Sequence, residues 1–446
     1  MRYDKPSALW LTDPILEKET GVDPESGRLR QMNNALVNFI PVPVTEGSVL
    51  HISRADLNCS VYYYSKQIPE DLIHTYAYDP ESNWSTYRAD WCIEKAYEPE
   101  VVLKHEGYIR LVFTGAEKRK DPIRLHEYAE IRNPKPAEEA RCPDWINQEA
   151  AAVAERVDRC KGIDDLAVLL LTDTHDTLGG IWENTHRSLR ETANRIYPDA
   201  IIHLGDFADG LLPAEYTKLF VKKQLEQLRE IHHNLYCCIG NHDRNAFRGN
   251  RESFSARECA ELYLQRKQTW YYIDKPENKV RLFFLDSFNP NQKERYGFDS
   301  KEVLWFALRL WTTPPDYKVV IFSHVTPLAQ NHVWSKTIRN GERMLRIIQG
   351  FQRIRKGCVL GWIHGHNHAD QITWYGCLPV IGIGCAKLED FTEHKPEGAV
   401  TWPRAQCTAS EELWDVLVIH PKEESMDFIR FGAGEDRHIN QRQDEK

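Results

Sequence analysis

The stretch LAVLLLTDTH, Leu166 to His175, is six consecutive apolar residues followed by Thr172, Asp173, Thr174 and His175. A run this short and this continuously apolar predicts a strand buried on both faces, as in a parallel sheet covered by helices. Charged and imidazole side chains directly after such a strand need a partner or a ligand. Working outward, the same grammar recurs: AIIHL (Ala200 to Leu204) is followed by Gly205-Asp206, and LYCCI (Leu235 to Ile239) by Gly240-Asn241-His242-Asp243. KVVIF (Lys318 to Phe322) is followed by Ser323-His324, and VLGWI (Val359 to Ile363) by His364-Gly365-His366-Asn367-His368. VRLFFL (Val280 to Leu285) is a sixth run of the same type.

Helical periodicity lies between these runs. Asp144 to Cys160 predicts a helix, Glu302 to Leu310 another, and in Pro213 to Ile231 the residues Tyr216, Leu219, Phe220, Leu225, Leu228 and Ile231 approximate one apolar face. Strands alternating with helices predict a layered α/β domain, and open α/β sheets place ligands beyond the carboxyl ends of their strands. That is where the metal-type residues fall.

Taken singly, Asp-x-His or Gly-Asp is an ordinary turn, and a lone His324 would be a core or loop histidine. Gly240-Asn241-His242-Asp243 and Gly365-His366-x-His368 say more, since each gathers polar side chains at the end of a buried strand. The joint occurrence, in order and each at a strand end, predicts a two-metal site. Carboxylate, imidazole and amide oxygen together suit divalent ions of intermediate hardness, namely Mn, Fe, Zn or Co. No cysteine falls in the motifs, which argues against a thiolate-held structural zinc. Glycine before Asp206, Asn241 and His366 allows sharp turns and close backbone approach.

Upstream the rhythm differs. From about residue 38 to 130 short β-type runs, NFIPVPV, SVLHIS, SVYYYS, HTYAYD, EVVLKH and YIRLVFTG, alternate with turn pairs and predict an antiparallel sandwich. Asn133-Pro134-Lys135-Pro136 reads as a joint, giving an all-β accessory domain over 1–135 and a catalytic domain over 136–446. The tail after Arg437 reads as loose.

With a length of 446 residues, 41% hydrophobic residues and 28% charged, the chain is a globular protein of two domains. A formal charge of -9 argues against broad capture of nucleic acid. No leader-like segment and no membrane-spanning apolar run occurs, so a cytoplasmic protein is expected, a phage-associated location remaining open. Eleven cysteines without framework spacing favour reduced thiols, with Cys237 and Cys238 expected in the core.

The five motifs, D-x-H at Asp173, G-D at Asp206, G-N-H-D at Asn241, H at His324 and G-H-x-H at His366, resemble the calcineurin-like metallophosphoesterase superfamily. The resemblance runs from about Leu166 to Ala386, with Leu413 to Ile419 and Met426 to Phe431 as completing strands. It implies a four-layer sandwich of two mixed β-sheets flanked by helices. It further implies one metal on Asp173, His175, Asp206 and His368, and a second on Asp206, Asn241, His324 and His366, with Asp206 bridging. His242 corresponds to the family's catalytic histidine, assisting the leaving group, and Asp243 to the carboxylate that orients it. Manganese is among the metals expected. The implied activity is hydrolysis of a phosphomonoester or phosphodiester of small or medium size by a hydroxide held between two ions.

Asp209, His203 and His364 are expected near the site or in its packing, and Arg244, Asn245 and Arg248 in contact with substrate or in a solvated loop. The N-terminal region is similar to β-sandwich modules that precede catalytic domains in bacterial surface or phage-associated proteins. A second reading follows, in which glycan or surface binding is the main role and the metal domain is accessory. Trp84, Tyr87 and Trp91 would then offer an aromatic sugar platform.

Overall fold

The structure is a computed structural model describing residues 15–23, 29–38, 41–44, 47–54, 57–64, 91–96, 100–103, 107–115, 123–125, 128–132, 143–176, 181–210, 214–247, 250, 252–388 and 395–440. The chain divides into two compact units, Met1–Arg141 and Cys142–Lys446. Pro134 and Pro136 of the expected joint lie outside the described residues, as do HTYAYD, Trp84 and Tyr87.

The first unit contains ten described strands: β1 (Ile15–Val22), β2 (Leu29–Asn38), β3 (Val42–Val44), β4 (Val49–Ile52), β5 (Asn58–Tyr64), β6 (Trp91–Ala96), β7 (Glu100–Val102), β8 (Gly107–Thr114), β9 (Ile123–Arg124) and β10 (Ala129–Arg132). They form one sheet in the order β6-β5-β8-β2-β1-β9, with β3 also on β8, and a second in the order β10-β4-β7. All the pairings are antiparallel, and Leu36, Val61, Ile109 and Phe113 of the first sheet share a core with Leu50, Ile52 and Ile131 of the second. The β-rich region begins earlier than residue 38: β1 and β2 pair across six register positions despite the irregularity at Glu19. Their polar content (EKET, RQMNN) hides the alternation that a sequence reading needs.

The second unit is built on two six-stranded mixed sheets. One contains β11 (Leu166–Leu171), β12 (Ala200–His203), β13 (Leu235–Cys237), β20 (Leu413–His420), β21 (Ser425–Gly432) and β22 (Arg437–Asn440), in the order β13-β12-β11-β20-β21-β22. The other contains β14 (Tyr271–Lys275), β15 (Val280–Leu285), β16 (Lys318–Ser323), β17 (Val359–His364), β18 (Gln371–Tyr375) and β19 (Leu378–Gly382), in the order β14-β15-β16-β17-β19-β18. Strands β11, β12 and β13 are parallel, as are β15, β16, β17 and β19.

The apolar runs explain the layering. In β11, Leu166, Val168 and Leu170 pack with Leu282, Phe284, Val320 and Phe322 between the sheets. Ala167, Leu169 and Leu171 face the other way, onto helices α1 (Asp144–Cys160), α2 (Trp182–Ile196) and α3 (Ala214–Ile231). In the second sheet Phe283, Leu285, Val319 and Ile321 pack on α4 (Ser300–Trp311) and α5 (Gly341–Ile354) through Phe306, Leu310, Met344 and Ile348. The result is helix, sheet, sheet, helix. Each fully buried Leu or Phe contributes roughly 1.5–3 kcal/mol, which is why strands with no polar face sit at the centre of four layers. Cys237 and Cys238, adjacent in sequence, fall on opposite sides of their sheet and serve as core residues. Among the described residues Cys59, Cys160, Cys237, Cys238, Cys259, Cys358, Cys385 and Cys407 form no disulfide.

Arg437–Asn440 is not loose, and residues 441–446 of that tail lie outside the described residues. Arg437–Asn440 pairs antiparallel with β21, and Ile439 is buried between the sheets. Arg437 itself donates to Asp370 Oδ1 at 2.8 Å and Asp415 Oδ2 at 2.6 Å. Buried Arg430 bridges the same two carboxylates, with Nη2 at 2.9 Å from both oxygens of Asp370 and Nε at 2.8 Å from Asp415 Oδ1. Trp402 Nε1 adds a donor to Asp370 Oδ2 at 2.7 Å. Burial opposes charge on Asp370, yet Arg437 and Arg430 outweigh it and hold the carboxyl down at about 2. A buried charge is stable only when paired in this way. Asp370 follows His368 by two residues, so the cluster pins the last motif to the C-terminal hairpin.

Glu412, just before β20, has no ion pair of this kind among the described residues. It is fully buried, and the nearby Thr185 and Ser188 hydroxyls and the Arg404 charge only partly offset that burial. Burial raises its pKa to about 8. Between its unfolded value of 4.5 and that folded value, the folded state keeps a proton that the unfolded chain has released, so stability falls as pH rises through this window. Glu412→Gln removes the dependence. Thermal melts should show the variant more stable than the parent at pH 9, by up to a few kcal/mol, and nearly equal to it at pH 4; parallel melting curves at both pH values would contradict this account.

Among the described residues no helix is long and apolar enough to cross a membrane.

Candidate metal centre

Both sheets deliver residues to one place. Asp173 and His175 follow β11, Asp206 follows β12 and Asn241 follows β13; His324 follows β16, and His366 and His368 follow β17. The backbone ties the loops together: Asp173 N donates to Gly205 O at 3.0 Å, His175 N to Asp206 O at 3.1 Å and Gly365 N to His324 O at 3.0 Å. Asp173 Oδ2 links the two sheets by accepting His366 N at 3.0 Å, and it also accepts Thr172 Oγ1 at 2.6 Å. The glycines act as expected. Gly205 has φ +104°, and a Cβ there would lie 2.5 Å from Gly240 N, while a Cβ on Gly365 would lie 2.1 Å from Thr172 Oγ1.

The backbone of the site is unusual. Asp173 (φ 52°), His175 (40°), Asp206 (57°), His366 (68°) and His368 (51°) are all left-handed although none is glycine. Such a conformation costs an L-residue roughly 1–2 kcal/mol and persists only where surrounding structure imposes it. Sequence periodicity carries no trace of it.

The side chains converge in two groups. In the first, Asp173 Oδ1 is 3.2 Å from His368 Nε2 and 3.8 Å from His175 Nε2, and those two nitrogens are 3.3 Å apart. In the second, His324 Nε2 is 3.0 Å from Asp206 Oδ2, 3.1 Å from Asn241 Oδ1 and 3.2 Å from His366 Nδ1. Asp206 Oδ2 also lies 3.8 Å from His175 Nε2, which places it between the groups. Among the described residues Asp173 Oδ1 is buried with no hydrogen bond, its polar neighbours being the His368 and His175 ring nitrogens. Facing ring nitrogens and an orphaned carboxylate oxygen are what a cation would satisfy, so the donor set fits two divalent ions. All seven predicted metal residues are therefore brought together.

The carboxylates draw positive charge into the centre. Burial works against charge on His324, but the carboxylates of Asp206 and Asp173 overcome it and raise its pKa to about 9. Burial keeps His175 neutral, with a pKa near 4. Asp173 is held well below the usual carboxylate range, burial being outweighed by His368 and His324.

Around this centre lie residues of mixed roles. His242 sits beside it, its ring 4.8 Å from that of His175 and 4.3 Å from Phe247. Its Nδ1 is 2.6 Å from Asp209 O, so that carbonyl orients the ring. This corrects the expected role of Asp243. Asp243 is fully buried, and its oxygens accept Asp206 N at 2.8 Å, Gly240 N at 2.8 Å and Phe207 N at 2.9 Å. It ties the Asp206 and Asn241 loops together rather than touching the His242 ring. Burial and the Asp206 charge push its pKa up while the backbone donors pull it down; with donors on both oxygens, the ionised form is the one the geometry accommodates.

Asp209 lies within reach of the centre: Oδ1 is 3.2 Å from His175 Nδ1 and 3.4 Å from Lys387 Nζ. His203 is packed behind it, stacked on Phe207 at 3.6 Å and bonded to Thr174 Oγ1 at 3.1 Å. His364 is buried with Nδ1 on Gly365 O. Arg244 and Asn245 are structural. Arg244 Nη2 pairs with Asp286 at 2.5 Å, and buried Asn245 binds Thr217 Oγ1 and Glu252 O at 2.9 Å each. Arg248 lies outside the described residues.

Sequence reasoning missed two residues. Asp286 follows the parallel strand β15, so the strand-end rule could have found it. His332, whose Nε2 is 3.0 Å from His366 Nε2, lies in a loop with no motif spacing to betray it.

A family model described as calcineurin-like phosphoesterase matches residues 166–370. Residues 166–370 carry a calcineurin-like phosphoesterase domain. The protein is a metal-dependent phosphoester hydrolase of mixed α/β architecture. Solved structures similar to this phosphoesterase include a dimetal phosphatase from Danio rerio, at 15% identity and a TM-score of 0.44 over 62% of this chain and 99% of the other. Another is a phosphopantetheinyl hydrolase from Mycobacterium tuberculosis, at 12% identity and a TM-score of 0.34 over 50% and 90%. A third is GAP50, described as the anchor in the inner membrane complex of Plasmodium, at 11% identity and a TM-score of 0.42 over 63% and 90%. No curated protein sequence matches the phosphoesterase significantly.

Proposed function

We propose that the protein hydrolyses a small or medium organic phosphoester at a two-metal centre. Asp173, His175, Asp206 and His368 would hold one ion, and Asp206, Asn241, His324 and His366 the other. The observation that carries this reading is Asp206 Oδ2, set between His175 Nε2 and His324 Nε2 at the meeting point of the two groups. Ions bound there would bring the pKa of a coordinated water from 15.7 toward about 7 and draw charge from the phosphoryl oxygens. The mixed oxygen and nitrogen donor set favours Mn, Fe, Zn or Co.

The chain's own residues do the rest. His242, its Nδ1 committed as donor to the Asp209 carbonyl, turns Nε2 to the leaving oxygen, which it stabilises or protonates. The backbone N of His242 donates to Asp206 Oδ1 at 2.8 Å, fixing the distance between acid and bridging carboxylate. Asp243 keeps both loops in place. Catalysis is assigned to residues 136–446, with 1–135 an accessory unit.

The test is p-nitrophenol release from mono- and bis-p-nitrophenyl phosphate by protein loaded with Mn. Metal-dependent turnover of at least one ester is expected, and the preferred ester assigns the protein as monoesterase or diesterase. Absence of turnover with both, in protein shown to contain two ions, would overturn the proposal.

A further inference from the structure

His332 takes no part in the ligand set, yet it lies against it. It follows a turn of 3-10 helix at Ala329–Asn331 and is 6% exposed. Two contacts fasten this turn to the last motif and to β18 beyond it: Asn367 Nδ2 donates to Asn331 O at 2.6 Å, and Thr373 Oγ1 to Asn331 Oδ1 at 3.3 Å. The Tyr296 ring lies 4.4 Å from His332 and 5.2 Å from His366, and Trp334 lies 5.9 Å and 5.0 Å from the same two rings. Neither imidazole can swing without displacing an aromatic neighbour.

The hydrogen bond between the rings then decides a tautomer. His366 Nδ1 faces His324 Nε2 at 3.2 Å, inside the group that includes Asp206. A neutral imidazole offers a lone pair on one nitrogen only when the other carries the proton. For Nδ1 to be a ligand, Nε2 must be the N–H and His332 Nε2 its acceptor. His332 must in turn carry its proton on Nδ1, which is buried without a partner among the described residues. An unpaired buried polar group costs about 1–3 kcal/mol, a cost that an apolar ring in the same place would avoid.

We propose that His332 is a positioning residue for His366: by accepting the Nε2 proton it fixes the tautomer and ring plane that present Nδ1 to the cation shared with Asp206 and His324. The proposal rests on the ligand assignment above. Removing an outer partner of a metal-bound histidine typically weakens metal affinity about 10–100-fold. His332→Phe should therefore weaken binding of one Mn ion by that factor in calorimetric titration and leave the other unchanged. At limiting Mn, electron paramagnetic resonance should show the coupled-pair signal of the parent replaced by the six-line signal of isolated Mn. His332→Gln, which supplies an amide oxygen as acceptor, should restore both.

His366→Ala separates the two levels of the argument. If it leaves both ions bound with parental affinity, the ligand assignment fails and the proposal with it. If it loses one ion while His332→Phe binds both normally, the metal centre stands and the positioning role is overturned. Equal losses in His332→Phe and His332→Gln would show that packing alone matters, which also overturns it. Should His332→Phe lack a cooperative melt, the decision passes to His332→Gln, where parental Mn affinity supports the proposal and a weakened second site refutes it.

Discussion

Asp206→Asn is expected to reduce kcat/KM on the order of 10,000-fold or more, because it removes the carboxylate that the proposed ligand set assigns to both cations. The substitution is nearly isosteric. An amide oxygen can still accept the His242 N–H at Oδ1, so the loop should keep its shape. What disappears is a charge on the atom 3.0 Å from His324 Nε2 and 3.8 Å from His175 Nε2. Metal analysis should find fewer than two ions per chain, and differential scanning calorimetry should show a smaller Mn-induced rise in Tm than in the parent. Two ions at parental affinity together with unimpaired turnover would remove Asp206 from the bridging position. There is a side effect to check: the Asp206 charge is one of the causes that push Asp243 up. The variant should therefore hold Asp243 more firmly ionised and the Gly240 turn intact.

His242→Ala should behave differently, losing about 100- to 10,000-fold in kcat while retaining both ions. The distinction follows from how the residue is attached. Its contact with Asp206 runs through the backbone N–H and survives truncation, whereas the ring and its bond to the Asp209 carbonyl are lost. The deficit should also depend on the leaving group. An ester of a strongly acidic phenol leaves with little help, so its hydrolysis should suffer least, and an alkyl ester should suffer most. A uniform loss across leaving groups, or a loss of metal, would assign His242 to structure or ligation. Asp243→Asn would not mimic this pattern, because Asp243 supports the turn and does not touch the ring.

Most of the architecture of the second unit could be read from its apolar runs. LAVLLLT, AIIHL, KVVIF and VLGWI announce central strands because both faces are covered, and the helix over Asp144–Cys160 starts and stops where its pattern does. Edge elements were less visible. Strands β14 and β18 are half exposed, and β22 is held by ion pairs and a single buried isoleucine, so neither alternation nor a continuous apolar run marks them. The candidate ligands were legible because a metal demands particular donor atoms, and donors of that kind cluster at strand ends. Asp243 shows the limit. The family resemblance made the His242 ring its partner, but the backbone N–H groups of Gly240, Asp206 and Phe207 claim both its oxygens. His332 shows it again, since nothing in a loop's composition says which ring it will reach.

The left-handed conformations at Asp173, His175, Asp206, His366 and His368 bear on any attempt to rebuild this centre elsewhere. Copying the seven side chains onto a relaxed scaffold would transfer the donors without the backbone that aims them. Short peptides spanning the motifs would abandon those angles at once and bind metal weakly and without order. A successful transplant would have to carry whole strand ends from both sheets, with the close glycine contacts that keep the loops wound against their preference.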